Sequence, residues 1–171
     1  MVHPNCRCRL ERSSPLEEPK PEVQFDIIVD TEVENPEKLK TKFNNILNEL
    51  PTLHVKKGLR FKVIKENPYS PYGEFDGLTV SMREDALESE KGRYVLYHEV
   101  GHVFFYDKFN YNAQMKWMDE WSVKHDEMPT SYAKSRFEEG FAECYALYYS
   151  DKKKLTPSIV SWFDRVMEEQ S

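Results

Sequence analysis

Tyr97-His98-Glu99-Val100-Gly101-His102-Val103-Phe104 is the stretch on which the reading of this chain turns. On an α-helix, positions four apart differ by about 40° around the axis, so His98 and His102 project from one face and can share a metal ion. Glu99 sits about 100° round, beside the imidazole pair, where it can reach a water on the metal without binding the metal itself. Leu96, Val100, Val103 and Phe104 fall on the opposite side, and Glu99 is the sole charge in residues 94–106, which also lack proline. This is the pattern of a helix with an apolar back and a His/Glu front. A chance H-E-x-x-H in a chain of this composition has a probability of roughly two per cent. The expected site therefore holds one Zn2+ ion through His98 and His102, with Glu99 as the general base of metal-assisted peptide hydrolysis.

Working outward, 171 residues with 39% hydrophobic and 13% aromatic content fit one domain with its own core. A formal charge of -6 argues against a surface for nucleic-acid phosphates. Three cysteines, Cys6, Cys8 and Cys144, do not make a disulfide framework. No run of 18 apolar residues predicts a membrane span. The first 20 residues lack the apolar segment of a signal peptide, so a bacterial cytoplasm or a phage virion is the expected setting, or a secreted one if the chain is a fragment.

Upstream of the motif, residues 1–22 carry Pro4, Pro15, Pro19 and Pro21 with almost no apolar content, and read as a tail or linker. Residues 23–30 (VQFDIIVD) read as a strand. Asn35-Pro36 supplies an N-cap and a proline for a helix with Leu39, Phe43, Ile46, Leu47 and Leu50 on its core face, closed by Pro51. Residues 59–65 alternate as a half-wet strand, 67–77 read as a loop, and 78–82 (LTVSM) as a strand just before the metal helix. That last strand is the candidate edge for pairing with an extended substrate. Downstream, residues 112–124 read as a core helix through Met115, Met118 and Trp121. Residues 135–150 form another, with Ser135 and Glu138 as a capping box and Phe137, Phe141, Cys144 and Tyr148 as its core stripe. Thr156-Pro157 starts a final helix with Ile159, Phe163, Val166 and Met167 inward.

A catalytic zinc takes three protein ligands and keeps a position open, so a third ligand is needed. Phe105 and Lys108 stand where a metzincin has Gly and His, and Asp107 lies too far along the helix from His98. The remaining source is residues 135–150. With Glu138 assigned to capping, Glu139 and Glu143 are left, four apart on one face and away from the Phe137/Phe141 stripe. Spacing leaves these two equivalent: one would bind the metal and the other would hold a ligand imidazole from behind.

The order His98-Glu-x-x-His102, Thr130-Ser131-Tyr132 and Glu139-Gly-Phe141-Ala142-Glu143 resembles the catalytic domain of anthrax lethal factor and its relatives, the Pro-Pro endopeptidases, which are gluzincins. The resemblance follows residues 23–170 in order of elements, with specific matches in 95–150. It implies that His98, His102 and Glu139 bind zinc, that Glu99 is the base, that Tyr132 assists the oxyanion and that Glu143 supports a ligand. Separately, His3-Pro4-Asn5-Cys6-Arg7-Cys8-Arg9-Leu10 resembles the His-Pro-x-Cys-Arg-Cys ending of phage minor head proteins of the Mu F type, over eight residues. His3, Cys6 and Cys8 could serve a second metal site, but a severed remnant is the favoured reading.

The expectation is an α+β fold: a small mixed β-sheet with helices, a zincin-like active-site helix and a C-terminal helical subdomain, in residues 23–171. The expected function is a zinc metalloendopeptidase acting on protein or peptide. Its rivals are a zinc-stabilised structural module of a phage head protein without proteolytic activity, and a binding protein with a decayed site.

Overall fold

In the computed structural model, which describes residues 22–51, 54–55 and 58–169, the sequence patterns become six α-helices and a four-stranded sheet among those residues. The fold is α+β, as expected. The expectation of an N-terminal tail, with His3, Cys6 and Cys8, falls on residues 1–21 and lies outside the described residues. Among the described residues, no helix is long and apolar enough to cross a membrane.

Strands β1 (Ile27–Val29), β2 (Arg60–Ile64), β3 (Gly73–Phe75) and β4 (Thr79–Arg83) stand in the order β1-β2-β4-β3. The first two pairings are parallel, and β3 runs antiparallel to β4. Ile27, Phe61, Val63, Val80 and Met82 turn to the core. On the other face, Lys62 pairs with Asp30 at 2.8 Å near the solvent. The predicted first strand is longer than the observed one because Asn44 and Asn48 take over part of its backbone. Their Oδ1 atoms accept the Phe25 and Val23 N–H groups at 2.9 and 2.8 Å, so this part of the chain docks on a helix rather than on a ladder.

Helix α1 (Pro36–Asn48) buries Leu39, Phe43, Ile46 and Leu47 as the 3.6-residue spacing required, with Leu50 buried just beyond its end. Asn35 stands at its N-cap but in the left-handed region, φ 52°, and its side chain makes no capping bond. A short helix, α2 (Glu84–Glu88), which the sequence reading missed, intervenes between β4 and the motif helix α3 (Gly92–Lys108). Then come α4 (Tyr111–Val123), α5 (Phe137–Ser150) and α6 (Pro157–Glu169).

The structure makes three corrections. LTVSM is not an edge: β4 lies between β2 and β3, and the edge is β3, within the segment read as a loop. Asp76-Gly77 makes that hairpin, with Asp76 Oδ1 accepting the Leu78 and Thr79 N–H groups at 2.8 and 2.7 Å and Gly77 at φ 97°. Buried Arg83 secures the chain before β3, donating to the Asn67 and Ser70 carbonyls and covering the Tyr72 ring at 4.6 Å. Second, α5 is capped by Arg136 rather than Ser135, so the predicted capping box does not form. Ser135 Oγ instead donates to the Tyr132 carbonyl at 2.6 Å. Third, the buried anchor of α4 is Trp117, while Met115, Met118 and Trp121 are partly buried. Trp117 Nε1 donates to the Phe137 carbonyl at 2.6 Å, which satisfies its polar edge inside the core.

Helices α3 and α5 form the densest contact of the molecule. Leu96, Val100, Val103 and Phe104 are at most 1% exposed, and Phe104 and Phe105 pack on Phe141 with ring centroids 6.1 and 5.2 Å apart. The approach passes through Gly101, where an added Cβ would lie 3.0 Å from Ala142 Cα and 3.2 Å from Tyr145 Cβ. Gly101→Val is therefore expected to destabilise the fold by about 1–3 kcal/mol through overpacking. Urea denaturation measures this, and an unchanged midpoint would contradict the tight α3–α5 contact.

Candidate metal centre

Because α3 and α5 cross so closely, Glu139 at the start of α5 reaches across to the two histidines of α3. His98 Nε2 and His102 Nε2 lie 3.1 Å apart, and Glu139 Oε2 is 3.2 Å from each. His98, His102 and Glu139 thus form a group that can hold a metal ion. Four donors placed tetrahedrally at metal bond lengths of about 2.0–2.1 Å stand about 3.3 Å from one another. The observed triangle matches that spacing, so the donor set fits a metal of tetrahedral habit.

Glu143, one turn further along α5, stands behind His98. Its Oε1 is 3.3 Å from His98 Nδ1, and its Oε2 accepts the Thr130 hydroxyl at 2.8 Å, while the neighbouring Tyr94 hydroxyl helps to hold the carboxyl below its ordinary pKa. A proton on Nδ1, shared with Glu143, leaves the neutral ring's Nε2 lone pair facing Glu139 and His102. The two glutamates that spacing could not separate are thus separated by geometry, one at the imidazole Nε2 atoms and the other at Nδ1.

Glu99 is 7% exposed and sits against the edge strand. A Cβ on Gly73 would come within 3.1 Å of Glu99 Oε1 and 2.8 Å of Val95 Cγ1, so only glycine lets β3 lie this close. Burial raises the Glu99 pKa, opposed by His98 and His102 and reinforced by Glu139 and Glu74. Tyr132, 54% exposed, stacks on the His98 ring at 6.0 Å. Partial burial and then the Glu139 charge push its phenol up to about 12, so at neutral pH the hydroxyl keeps its proton and can donate. Tyr106 stacks on the second imidazole, His102, at 6.4 Å.

Burial disfavours a charged His98, but hydrogen bonds to Glu139 and Glu143 outweigh it and raise its pKa to about 9. Burial likewise opposes ionisation of Glu139, yet His102 and His98 hold its carboxyl well below the usual range. Four residues of this neighbourhood were not assigned a role from the sequence: Gly73, Tyr94, Tyr106 and Thr130. Tyr94 and Tyr106 lie four residues from His98 and His102 on the same helix face, a signal that could have found them. Gly73 reaches the site through the pairing of β3 with β4, which depends on distant partners, and Thr130 stands in the Thr130-Ser131-Tyr132 motif but without a role of its own there.

Glu139→Ala is expected to lose bound metal, whereas Glu143→Ala keeps it with affinity about 10- to 100-fold weaker; metal stoichiometry of the two purified variants checks both. The raised His98 pKa sets a pH dependence in chelator-treated protein. The unfolded histidine titrates near 6.5, so this stabilisation is complete below that pH and is lost as pH rises through about 9. A decline on the order of 1–3 kcal/mol over that window is expected by denaturation. A metal ion bound there should offset it, since metal binding requires the same imidazole to be neutral.

Compared with protein-family models, curated proteins and solved structures, the chain gives no match.

Proposed function

We propose that this protein is a zinc-dependent endopeptidase of gluzincin type. The observation that carries the proposal is the convergence of His98 Nε2, His102 Nε2 and Glu139 Oε2 within 3.2 Å of one another, beside a buried carboxylate and a protonated tyrosine. Two imidazoles and one carboxylate are the donor set of catalytic zinc sites that keep a coordination position open. Bound there, zinc supplies Lewis-acid polarisation of the scissile carbonyl and lowers the pKa of water toward neutrality.

The chain's own groups account for the rest. Glu99 accepts the proton of the attacking water and passes it to the leaving amine; its raised pKa suits a carboxylate that must take a proton and give it up. The Tyr132 hydroxyl donates to the oxyanion as charge develops on the carbonyl oxygen. The outer edge of β3, adjoining Glu99 through Gly73, offers main-chain groups to an extended peptide. Glu143 fixes the His98 ring, and the rings of Tyr132 and Tyr106 stack on His98 and His102.

A peptide-library cleavage assay with and without chelator tests the proposal. Chelator-sensitive cleavage supports it, and bound zinc without cleavage would instead favour a structural metal in a non-proteolytic module. Glu99→Gln should keep metal and fold while lowering kcat by at least 10²–10⁴-fold, on the order expected for a lost general base. Tyr132→Phe should lower kcat more than it raises KM, because its hydroxyl acts on the transition state; equal kcat would return the residue to packing.

A further inference from the structure

Thr130 sits at a junction between two parts of the site. Its Oγ1 donates to Glu143 Oε2 at 2.8 Å and accepts the Ala133 backbone N–H at 2.9 Å. The Ala133 N–H occupies an oxygen lone pair, so the hydroxyl hydrogen is left to the carboxylate. Glu143 is 6% exposed and holds His98 Nδ1 with its other oxygen, so the Thr130 hydroxyl acts on His98 through Glu143, two hydrogen bonds away.

The same hydroxyl shapes the turn that carries Tyr132. Residues 130–135 are closed by Lys134 N–H to the Thr130 carbonyl at 3.3 Å and by Ser135 N–H to the Tyr132 carbonyl at 3.0 Å. Tyr132 lies between Thr130 and Ala133, the two ends of the side-chain bond. Outside the turn, Trp121 Nε1 holds the Ala133 carbonyl at 2.9 Å and buried Met128 packs on Cys144. The turn is therefore held at Ala133 and, just before it, at Met128, and it is joined to the metal centre through Thr130.

We infer that Thr130 is a positioning residue that couples the ligand His98 to the Tyr132 turn, making metal binding and placement of the Tyr132 hydroxyl one linked event. The inference rests on the zinc-hydrolase reading above. Linkage is reciprocal: if bound metal steadies the turn through Glu143 and Thr130, loosening the turn at Thr130 must weaken metal by the same factor. Thr130→Val keeps the shape and removes the hydroxyl, whereas Thr130→Ser keeps the hydroxyl.

The test combines zinc titration against a competing chelator with amide hydrogen exchange at Ala133, in wild type, Thr130→Val and Thr130→Ser. Wild type is expected to show slower Ala133 exchange with zinc than without. Thr130→Val should bind zinc about 10-fold more weakly and exchange rapidly in both states, and Thr130→Ser should restore both properties. In activity, the loss caused by Tyr132→Phe should shrink in the Thr130→Val background, since the two changes act on one device. Zinc-independent exchange at Ala133 in wild type overturns the inference even if Thr130→Val does not fold, as does wild-type zinc affinity in Thr130→Val. A wild-type protein that binds no zinc overturns the reading of the site itself, and the titration reveals that separately.

Discussion

The two imidazoles of α3 and the carboxylate of α5 come to within 3.2 Å of one another beside a close approach of the two helix backbones at Gly101 and Ala142. The rest of the molecule is arranged to hold that contact. Phe104, Phe105 and Phe141 fill the interface below it, and Trp117 and Trp162 close the aromatic cluster from α4 and α6. Tyr97 reaches from α3 to the end of α1, donating to Glu49 at 3.1 Å, which ties the His98/His102 helix to α1.

The electrostatics follow from the same crowding. Glu99, Glu139 and Glu143 surround two imidazoles in a region where Glu99, Glu143 and His98 are all buried. Buried carboxylates are costly unless a positive group neutralises them. In the metal-free protein that role falls to His98, whose affinity for a proton is raised by the glutamates on either side. A divalent cation can take over the role and release the proton, so metal uptake and proton release at this centre are linked through one ring.

The parts of the structure set by periodicity were legible in the sequence. The core faces of α1 and α3 follow from 3.6-residue spacing, that of α6 follows except that Trp162 is buried and Val166 only partly so, and the His98/His102 pair follows from helix geometry alone. What was not legible depended on distant partners. Glu139 and Glu143 share a helix face, and which oxygen meets which nitrogen is decided by how α5 crosses α3. Strand β3 was hidden in a segment rich in proline and glycine, because Arg83, ten or more residues downstream of the carbonyls it holds, organises the chain before it. The Asp76-Gly77 turn was readable as a hairpin signal and was missed. Ser135 has the side chain of an N-cap, but the turn carrying Tyr132 had already claimed its hydroxyl.

If the protein is the proposed endopeptidase, the length of β3 limits how it would select peptides. Three residues of extended backbone, Gly73–Phe75, span about 10 Å, and a strand pairs through alternate residues. An edge this short can read only a brief register of a partner's main chain, roughly the residues next to the bond facing Glu99. Discrimination between peptides would then fall to side chains close to that bond, against the rings of Tyr106 and Tyr132, rather than to a long complementary sequence. A partner strand would also need to present its extended segment already free of its own sheet, which favours linkers and termini over folded domains.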